Sequence, residues 1–153
     1  MTTNNMNSST YHIVQLDSTS VNSALLFLEQ VFSIEQNIPK ELIPVKADQQ
    51  KWWAIKDGNQ IVGTAAIWEI NSEWHWGRLA IHEKLRGLGL GKKLVQQSLD
   101  ESFQMEIETI LIDARDITVD MILKLGGKIV GEKAIFYGLP VTPMELRKRD
   151  FKL

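Results

Sequence analysis

The sequence predicts one three-layer α/β/α domain with a mixed central sheet and the element order β-α-βββ-α-β-α-ββ. Segments with strand-like alternation and segments with helical spacing of apolar residues follow one another along the 153 residues. A hairpin signal, Asp57-Gly58-Asn59, joins two strand-like segments, and the glycine-rich segment Arg86 to Gly91 joins a strand to a helix. Alternating strands and helices are typical of an α/β domain, and the length fits a single one.

The first half of the chain holds the elements that precede the glycine-rich segment. Alternation predicts a strand over 11–16, and Asp17 to Ser20 supplies residues that commonly cap a helix. Apolar residues from Ala24 to Phe32 recur at helical spacing, and strands are predicted over 51–56, 60–70 and 74–81. Trp52 and Trp53 are neighbours on the first of these strands, so only one of them is expected to face the core.

The second half of the chain contains two helices and three strands. A helix is predicted from Leu90 to Phe103, since its apolar residues share one face. A short buried strand follows over 109–112, and then a helix over 118–125, which Gly126-Gly127 ends. The closing pair of strands is predicted over 128–137 and 141–148.

Composition and charge are those of an ordinary globular protein. Hydrophobic residues make up 44% of the chain and charged residues 24%, and the net charge of −2 gives no reason to expect a nucleic-acid partner. The chain has no cysteine, and its three histidines lack the spacing of metal ligands. Disulfides, thiolate chemistry and a metal site are therefore not expected.

The N-terminal segment Met1–Thr10 is polar and lacks the charged and apolar regions of a signal peptide. We predict that it is a disordered tail and that the domain spans 11–153. No apolar run approaches the roughly 20 residues that span a bilayer. A cytoplasmic location without a membrane partner is expected.

The glycine-rich segment is the strongest functional signal in the chain. Gly87, Gly89 and Gly91 stand at alternate positions, where the backbone can adopt positive φ angles. The first N–H groups of the following helix lack intrahelical partners and carry the positive end of its dipole. With Arg86 and the lysines at 92 and 93 around it, the segment predicts a phosphate-binding loop, and a cationic surface turn is the alternative.

The spacing of the residues shows which kinds of phosphate ligand the loop fits and which it does not. In a P-loop pattern, Arg86 would stand in place of the first glycine and Lys93 in place of the magnesium-binding hydroxyl residue, so that pattern fails. A dinucleotide pattern would need its third glycine at Lys92 or at Leu94, which argues against it. The pattern Arg/Gln-x-x-Gly-x-Gly/Ala is filled completely by residues 86–91.

That pattern, with the apolar strand Leu79-Ala80-Ile81 before it, resembles the GNAT superfamily of N-acetyltransferases. Two further segments, Val31-Phe32-Ser33-Ile34-Glu35-Gln36 and Gly138-Leu139-Pro140, are similar to a small bacterial branch with V-F-x-x-E-Q and G-[IL]-P segments. The resemblance covers roughly residues 11–148.

The resemblance implies acetyl-CoA as the cosubstrate and no metal. The coenzyme A pyrophosphate would lie on Arg86 to Lys92, and the pantetheine arm would run beside Leu79 to Ile81 like an added strand. The N–H of Leu79 would donate to the thioester carbonyl and stabilise the oxyanion. The implied cofactor-binding residues are Leu79, Ala80, Ile81, Arg86, Gly87, Leu88, Gly89, Leu90, Gly91 and Lys92.

A base is also needed to accept the proton of the amine. His75 lies four residues before Leu79, where some family members carry a histidine, and a histidine side chain titrates near neutrality. Glu73 is the second candidate, and filling a wall of the cleft is the alternative role for His75. The segment Glu35-Gln36, together with His75, would border the acceptor amine.

The chain departs from the family pattern where many members place a tyrosine as general acid. Ile122 stands at that position, Gly127 replaces the usual phenylalanine, and Tyr137 is a distant substitute donor. The resemblance still implies direct transfer of an acetyl group to a primary amine on a small molecule or a peptide. The alternative is a catalytically weak acyl-CoA-binding or sensor module, and a homodimer is a further option because dimers are common in this fold.

Overall fold

The computed structural model describes residues 10–17, 19–31, 49–136 and 138–153. The predicted tail lies outside these residues apart from Thr10. Three predicted site residues also lie outside the described residues. They are Glu35 and Gln36, predicted to border the acceptor amine, and Tyr137, the candidate proton donor.

The described elements follow the predicted order closely. They are β1 (His12–Gln15), α1 (Val21–Glu29), β2 (Gln49–Asp57), β3 (Gln60–Ile70), β4 (Glu73–Ile81), a 3-10 turn (Glu83–Leu85), α2 (Leu90–Phe103), β5 (Thr109–Arg115), α3 (Asp116–Lys124), β6 (Lys128–Ile129), β7 (Ala134–Phe136), β8 (Leu139–Arg147) and a 3-10 turn (Lys148–Asp150). The strands form one sheet in the order β1-β2-β3-β4-β5-β8-β6, with β7 also paired to β8. Because β4 and β5 are parallel while β1–β2 and β5–β8 are antiparallel, the sheet is mixed, and the predicted fold class is confirmed.

The strand predicted over 128–137 is one point of difference, because it forms as two short strands. β6 ends where Ile129 pairs with Met144, and β7 begins where Ala134 pairs with Val141. Four residues, 130–133, therefore face only two residues of β8, which is a bulge. Pro143 lies opposite this bulge and has no N–H to donate, so a regular ladder cannot continue past it.

By their contacts the residues group into two compact units, and β2, β3, β4 and α2 contribute to both. Within the described residues, the first unit contains those up to 31 together with 51–66 and 78–98, and the second contains 49–50, 67–77 and the residues from 99 onward. The first unit has a core whose largest fully buried side chains are Leu28, Trp52, Trp53, Ile55, Leu90 and Leu94. The corresponding side chains of the second unit are Ile67, Leu99, Ile110, Ile122, Met144 and Leu146.

The expectation that only one of Trp52 and Trp53 faces the core is wrong. Both side chains have 0% exposure, although adjacent strand residues point to opposite faces of the sheet. β2 is therefore covered on both faces, as in sheets that have a layer on each side.

The predicted cap of α1 is provided by Asp17. Its Oδ1 accepts hydrogen bonds from the Thr19 hydroxyl at 2.6 Å, from the Thr19 N–H at 3.0 Å and from the Ser20 N–H at 3.1 Å. Ser20 occupies the N-cap position without a side-chain cap bond. These bonds, that of the Thr19 hydroxyl foremost, hold the pKa of Asp17 below its ordinary value.

A lowered pKa in the folded state makes the contribution of Asp17 dependent on pH. The contribution is fully present above the ordinary aspartate pKa of about 3.9 and is lost as the pH falls through the folded-state value. We expect the stability difference between wild type and Asp17→Asn, measured by urea unfolding, to be largest near neutral pH and to shrink as the pH falls through the lowered folded-state pKa. A difference that does not change with pH would contradict this role of the carboxylate.

Candidate active site

The loop between β4 and α2 is built from consecutive tight turns. The N–H of Leu85 donates to the His82 carbonyl at 2.9 Å, that of Arg86 to Glu83 at 3.3 Å, and that of Leu88 to Leu85 at 3.4 Å. The imidazole Nδ1 of His82 accepts from the Lys84 N–H at 3.2 Å and so caps the first turn. These bonds shape the chain just before the glycines.

Two of the three glycines need the conformational freedom of glycine. Gly87 has φ +93° and Gly89 has φ +77°, and a Cβ built on either would have no atom within 4 Å. Gly91 lies in α2 instead, where an added Cβ would make an ordinary contact of 3.7 Å with Ile81 Cγ1. The loop therefore presents open space beside Gly87 and Gly89, into which a ligand can approach the backbone.

The start of α2 supplies donors and positive charge to this space. The first helical hydrogen bond runs from the Lys93 N–H to the Gly89 carbonyl at 3.3 Å. The N–H groups of residues 90–92 precede that bond and have no intrahelical acceptor. Lys92 and Lys93 are exposed in the same turn, so dipole and side chains both favour an anion here.

Arg86 has a second role that the sequence pattern did not indicate. Its Nη2 and Nε atoms donate to the Ile81 carbonyl at 3.0 and 3.2 Å. The exposed side chain thereby ties the loop back to the last residue of β4. Arg86 holds the loop as well as adding charge to it.

β4 contains a backbone irregularity just before the predicted cofactor strand. Arg78 has φ +55°, which is uncommon for a residue with a side chain and is typical of a β-bulge. The carbonyl of Arg78 accepts a hydrogen bond of 3.0 Å from the hydroxyl of Thr64 on β3. After this point Ala80 is buried, and Leu79 and Ile81 are half-buried.

His75 lies in the second unit, where its ring stacks on that of Trp68. The ring centroids are 6.0 Å apart and the planes differ by 13°. Trp68 also covers Gly77, since a Cβ there would lie 3.2 Å from its Cη2. Glu73, at the start of β4, is exposed.

The sequence argument missed Trp68 as the stacking partner of His75, the candidate base. Asn71 and Ser72, with φ angles of +54° and +66°, form a two-residue turn between β3 and β4. Such a turn places residue 68 opposite residue 75. The two-residue turn could therefore have predicted, from the sequence, that Trp68 lies opposite His75.

Ile122, which the family resemblance aligns with the usual tyrosine, is fully buried in the second unit. The Gly127 N–H donates to the Ile122 carbonyl at 2.9 Å, and a Cβ at Gly127 would overlap the Ile122 Cγ2 methyl. The two departures from the family pattern are therefore packed against each other. The aliphatic side chain offers no proton at this position.

We expect Gly127→Ala to lower the free energy of unfolding by about 1–3 kcal/mol, because the added methyl overpacks a rigid site. The double variant Ile122→Ala/Gly127→Ala should be less destabilised than the two single variants together, since the first change makes room for the second. Urea unfolding of the four proteins measures this coupling. Strict additivity would contradict the contact between the two positions.

Family and structural comparisons agree with this fold. The model of the acetyltransferase (GNAT) family matches residues 16–131. The chain therefore belongs to the GNAT acetyltransferase family. Comparison of this sequence with curated proteins found no match.

Solved structures with the same fold are distant in sequence. Escherichia coli ElaA is 20% identical with a TM-score of 0.74, over 88% of this chain and 97% of that one. An N-acetyltransferase from Lactobacillus plantarum, described as putative, is 18% identical with a TM-score of 0.75, over 90% and 97% of the two chains. The spermidine N-acetyltransferase from Vibrio cholerae, solved with CoA and spermine, is 14% identical with a TM-score of 0.65, over 93% and 98%.

Across the described parts of the chain, no group of three or more acidic, histidine or cysteine residues is arranged to hold a metal ion. None of the described helices is both long and apolar enough to cross a membrane.

Proposed function

We propose that this protein transfers an acetyl group from acetyl-CoA directly to a primary amine. The observation that carries the proposal is the loop of positive-φ glycines leading into the N–H groups at the start of α2, in a chain of the GNAT family. The loop suits a pyrophosphate because it combines preorganised donors, open space and two exposed lysines.

The residues from Leu79 to Lys92 would bind the cosubstrate. Leu79, Ala80 and Ile81 would pair with the pantetheine amides, as an added strand does, while Arg86 keeps the loop in register with the end of β4. Gly87 and Gly89 would allow the pyrophosphate to reach the backbone. Acetyl-CoA supplies the acetyl group as an activated thioester.

In the chemical step, the nitrogen of a neutral amine forms a bond to the acetyl carbon, and the carbon–sulfur bond breaks. The electron pair of that bond leaves with the coenzyme A sulfur as a thiolate. The N–H of Leu79 would stabilise the negative charge that develops on the carbonyl oxygen, an effect worth about 2.7–4 kcal/mol in comparable sites. His75 would accept the proton of the amine, with Glu73 as the second candidate.

The leaving thiolate receives no proton from Ile122, and Tyr137 remains the candidate donor. A thiolate can leave without an acid, so the buried isoleucine slows the reaction without preventing it.

The acceptor would be a small amine or a peptide amine bordered by Glu35 and Gln36. The single domain over 11–153, the cytoplasmic location and the homodimer remain predictions.

One observation favours a second function, that of an acyl-CoA-binding or sensor module. Ile122 is fully buried where many family members have the acid, which is expected of a protein that binds acyl-CoA and transfers slowly. This alternative shares the loop and differs only in turnover.

Two measurements test the proposal. Acetyl-CoA at 100 times its Kd should stabilise the fold by about 2.7 kcal/mol, which thermal unfolding detects. A screen of polyamines, aminoglycosides, lysine and peptide N-termini, followed by release of free thiol, tests transfer. A thermal shift without thiol release would favour the sensor module, and no shift with acetyl-CoA or CoA would refute both functions.

A further inference from the structure

Thr64 is a fully buried polar residue in the middle of β3, and it lies outside all the roles described above. Its exposure is 0%, and its Oγ1 donates to the backbone carbonyl of Arg78, fourteen residues later, at 3.0 Å. A buried hydroxyl is costly unless it is hydrogen-bonded, so this bond is what makes Thr64 compatible with its surroundings.

The acceptor of this bond is part of the peptide group that contains the Leu79 N–H. Peptide groups are planar, and the described residues contain no cis peptide bond. The Arg78 carbonyl and the Leu79 N–H therefore point in opposite directions. Because the hydroxyl on β3 holds the carbonyl towards β3, it aims the Leu79 N–H away from β3.

The left-handed backbone of Arg78 needs a stabilising contact of this kind. Its φ of +55° is disfavoured for a residue with a Cβ and persists only where the surroundings stabilise it. Without the hydroxyl, the peptide group between Arg78 and Leu79 could rotate, and the direction of the N–H would no longer be defined. The bond thus acts on the one N–H that the proposed reaction uses as oxyanion donor.

We infer that Thr64 is a positioning residue for acetyl transfer, which orients the Leu79 N–H through the Arg78 carbonyl. The inference rests on the proposed function, in which that N–H stabilises the carbonyl oxygen of the thioester. It predicts that the Thr64 hydroxyl affects the chemical step more than the binding of acetyl-CoA.

Thr64→Val is the decisive variant, because valine has the same shape and cannot donate a hydrogen bond. We expect kcat to fall at least about tenfold, since a donor that is misplaced stabilises the transition state poorly. The KM for acetyl-CoA should stay within about twofold, because the loop that binds the pyrophosphate is unchanged. Thr64→Ser keeps the hydroxyl and should recover kcat to within about threefold of wild type.

Thr142→Val is a matched control, since Thr142 is also a buried strand threonine, with 5% exposure. It should keep the wild-type kcat. If Thr64→Val does not fold, Thr64→Cys replaces it, because cysteine is the sulfur analogue of serine and its thiol is only a weak hydrogen-bond donor. The Ser/Cys pair then makes the same comparison.

Amide hydrogen exchange by NMR gives a readout that does not depend on activity. In Thr64→Val, the exchange rate or the chemical shift of the Leu79 N–H should change measurably. In Thr142→Val, both should stay as in wild type. A folded Thr64→Val with wild-type kcat and an unchanged Leu79 amide would overturn the inference alone. A wild-type protein that neither binds acetyl-CoA nor acetylates any amine overturns the proposed function, and the inference with it.

Discussion

His75→Phe is expected to lower kcat for acetyl transfer about a hundredfold or more, which is the usual contribution of a general base. Phenylalanine keeps an aromatic ring against Trp68, where the imidazole now stacks with 6.0 Å between centroids, but it cannot accept a proton. Thermal unfolding should therefore change little while turnover is lost. Steady-state kinetics with the best amine of the screen measures the effect.

The design of this test separates catalysis from packing. If His75 only fills a wall, His75→Phe will retain activity and His75→Ala will lose it. His12→Ala, at an exposed histidine of β1, serves as control, and loss of activity in Glu73→Gln instead would transfer the role to Glu73.

The second large effect is expected in the glycine loop. Alanine at Gly87 and Gly89 together should weaken acetyl-CoA binding about a hundredfold or more. Each left-handed alanine costs roughly 1–2 kcal/mol, and relief of this strain would change the loop that donates to the pyrophosphate. Because no atom lies within 4 Å of either added Cβ, the fold itself should survive. Isothermal titration with acetyl-CoA and with CoA measures the loss.

Gly91→Ala is the matched control for the loop. Its φ is helical, and its Cβ would meet Ile81 Cγ1 at an ordinary 3.7 Å. Alanine is a better helix former than glycine by about 1 kcal/mol, so this variant should be at least as stable as wild type and should bind acetyl-CoA normally. Equal losses at all three positions would show that the left-handed conformation is not what matters.

Much of the fold was predictable because it depends on local patterns. The hairpin signal between β2 and β3, helical spacing in α2 and the stop at Gly126 act within one element or one turn, and each formed as expected. The strand predicted over 128–137 divided because of Pro143, a residue on the paired strand. Pairing partners are not visible in the pattern of one strand, which is why this break was missed.

The candidate site was predictable to a smaller degree. The segment Arg86 to Gly91 predicts a phosphate-binding loop from the sequence alone, since glycine content and the start of a helix are local properties. The bond from Arg86 to the Ile81 carbonyl was not predictable, because the pattern says nothing about where a long side chain turns. The stack of Trp68 on His75 was within reach, given the two-residue turn between their strands.

By itself, the sequence determined the family, and it predicted the class of ligand at the glycine loop and the replacement of the usual tyrosine by Ile122. Only the tertiary structure decided that Ile122 packs against Gly127 and that Trp52 and Trp53 are both buried. The left-handed conformation of Arg78 was also decided by the tertiary structure. The physical reason is the range of the interactions. Backbone freedom and hydrophobic period act between near neighbours, whereas a buried hydroxyl such as that of Thr64 finds its carbonyl only when two strands are paired.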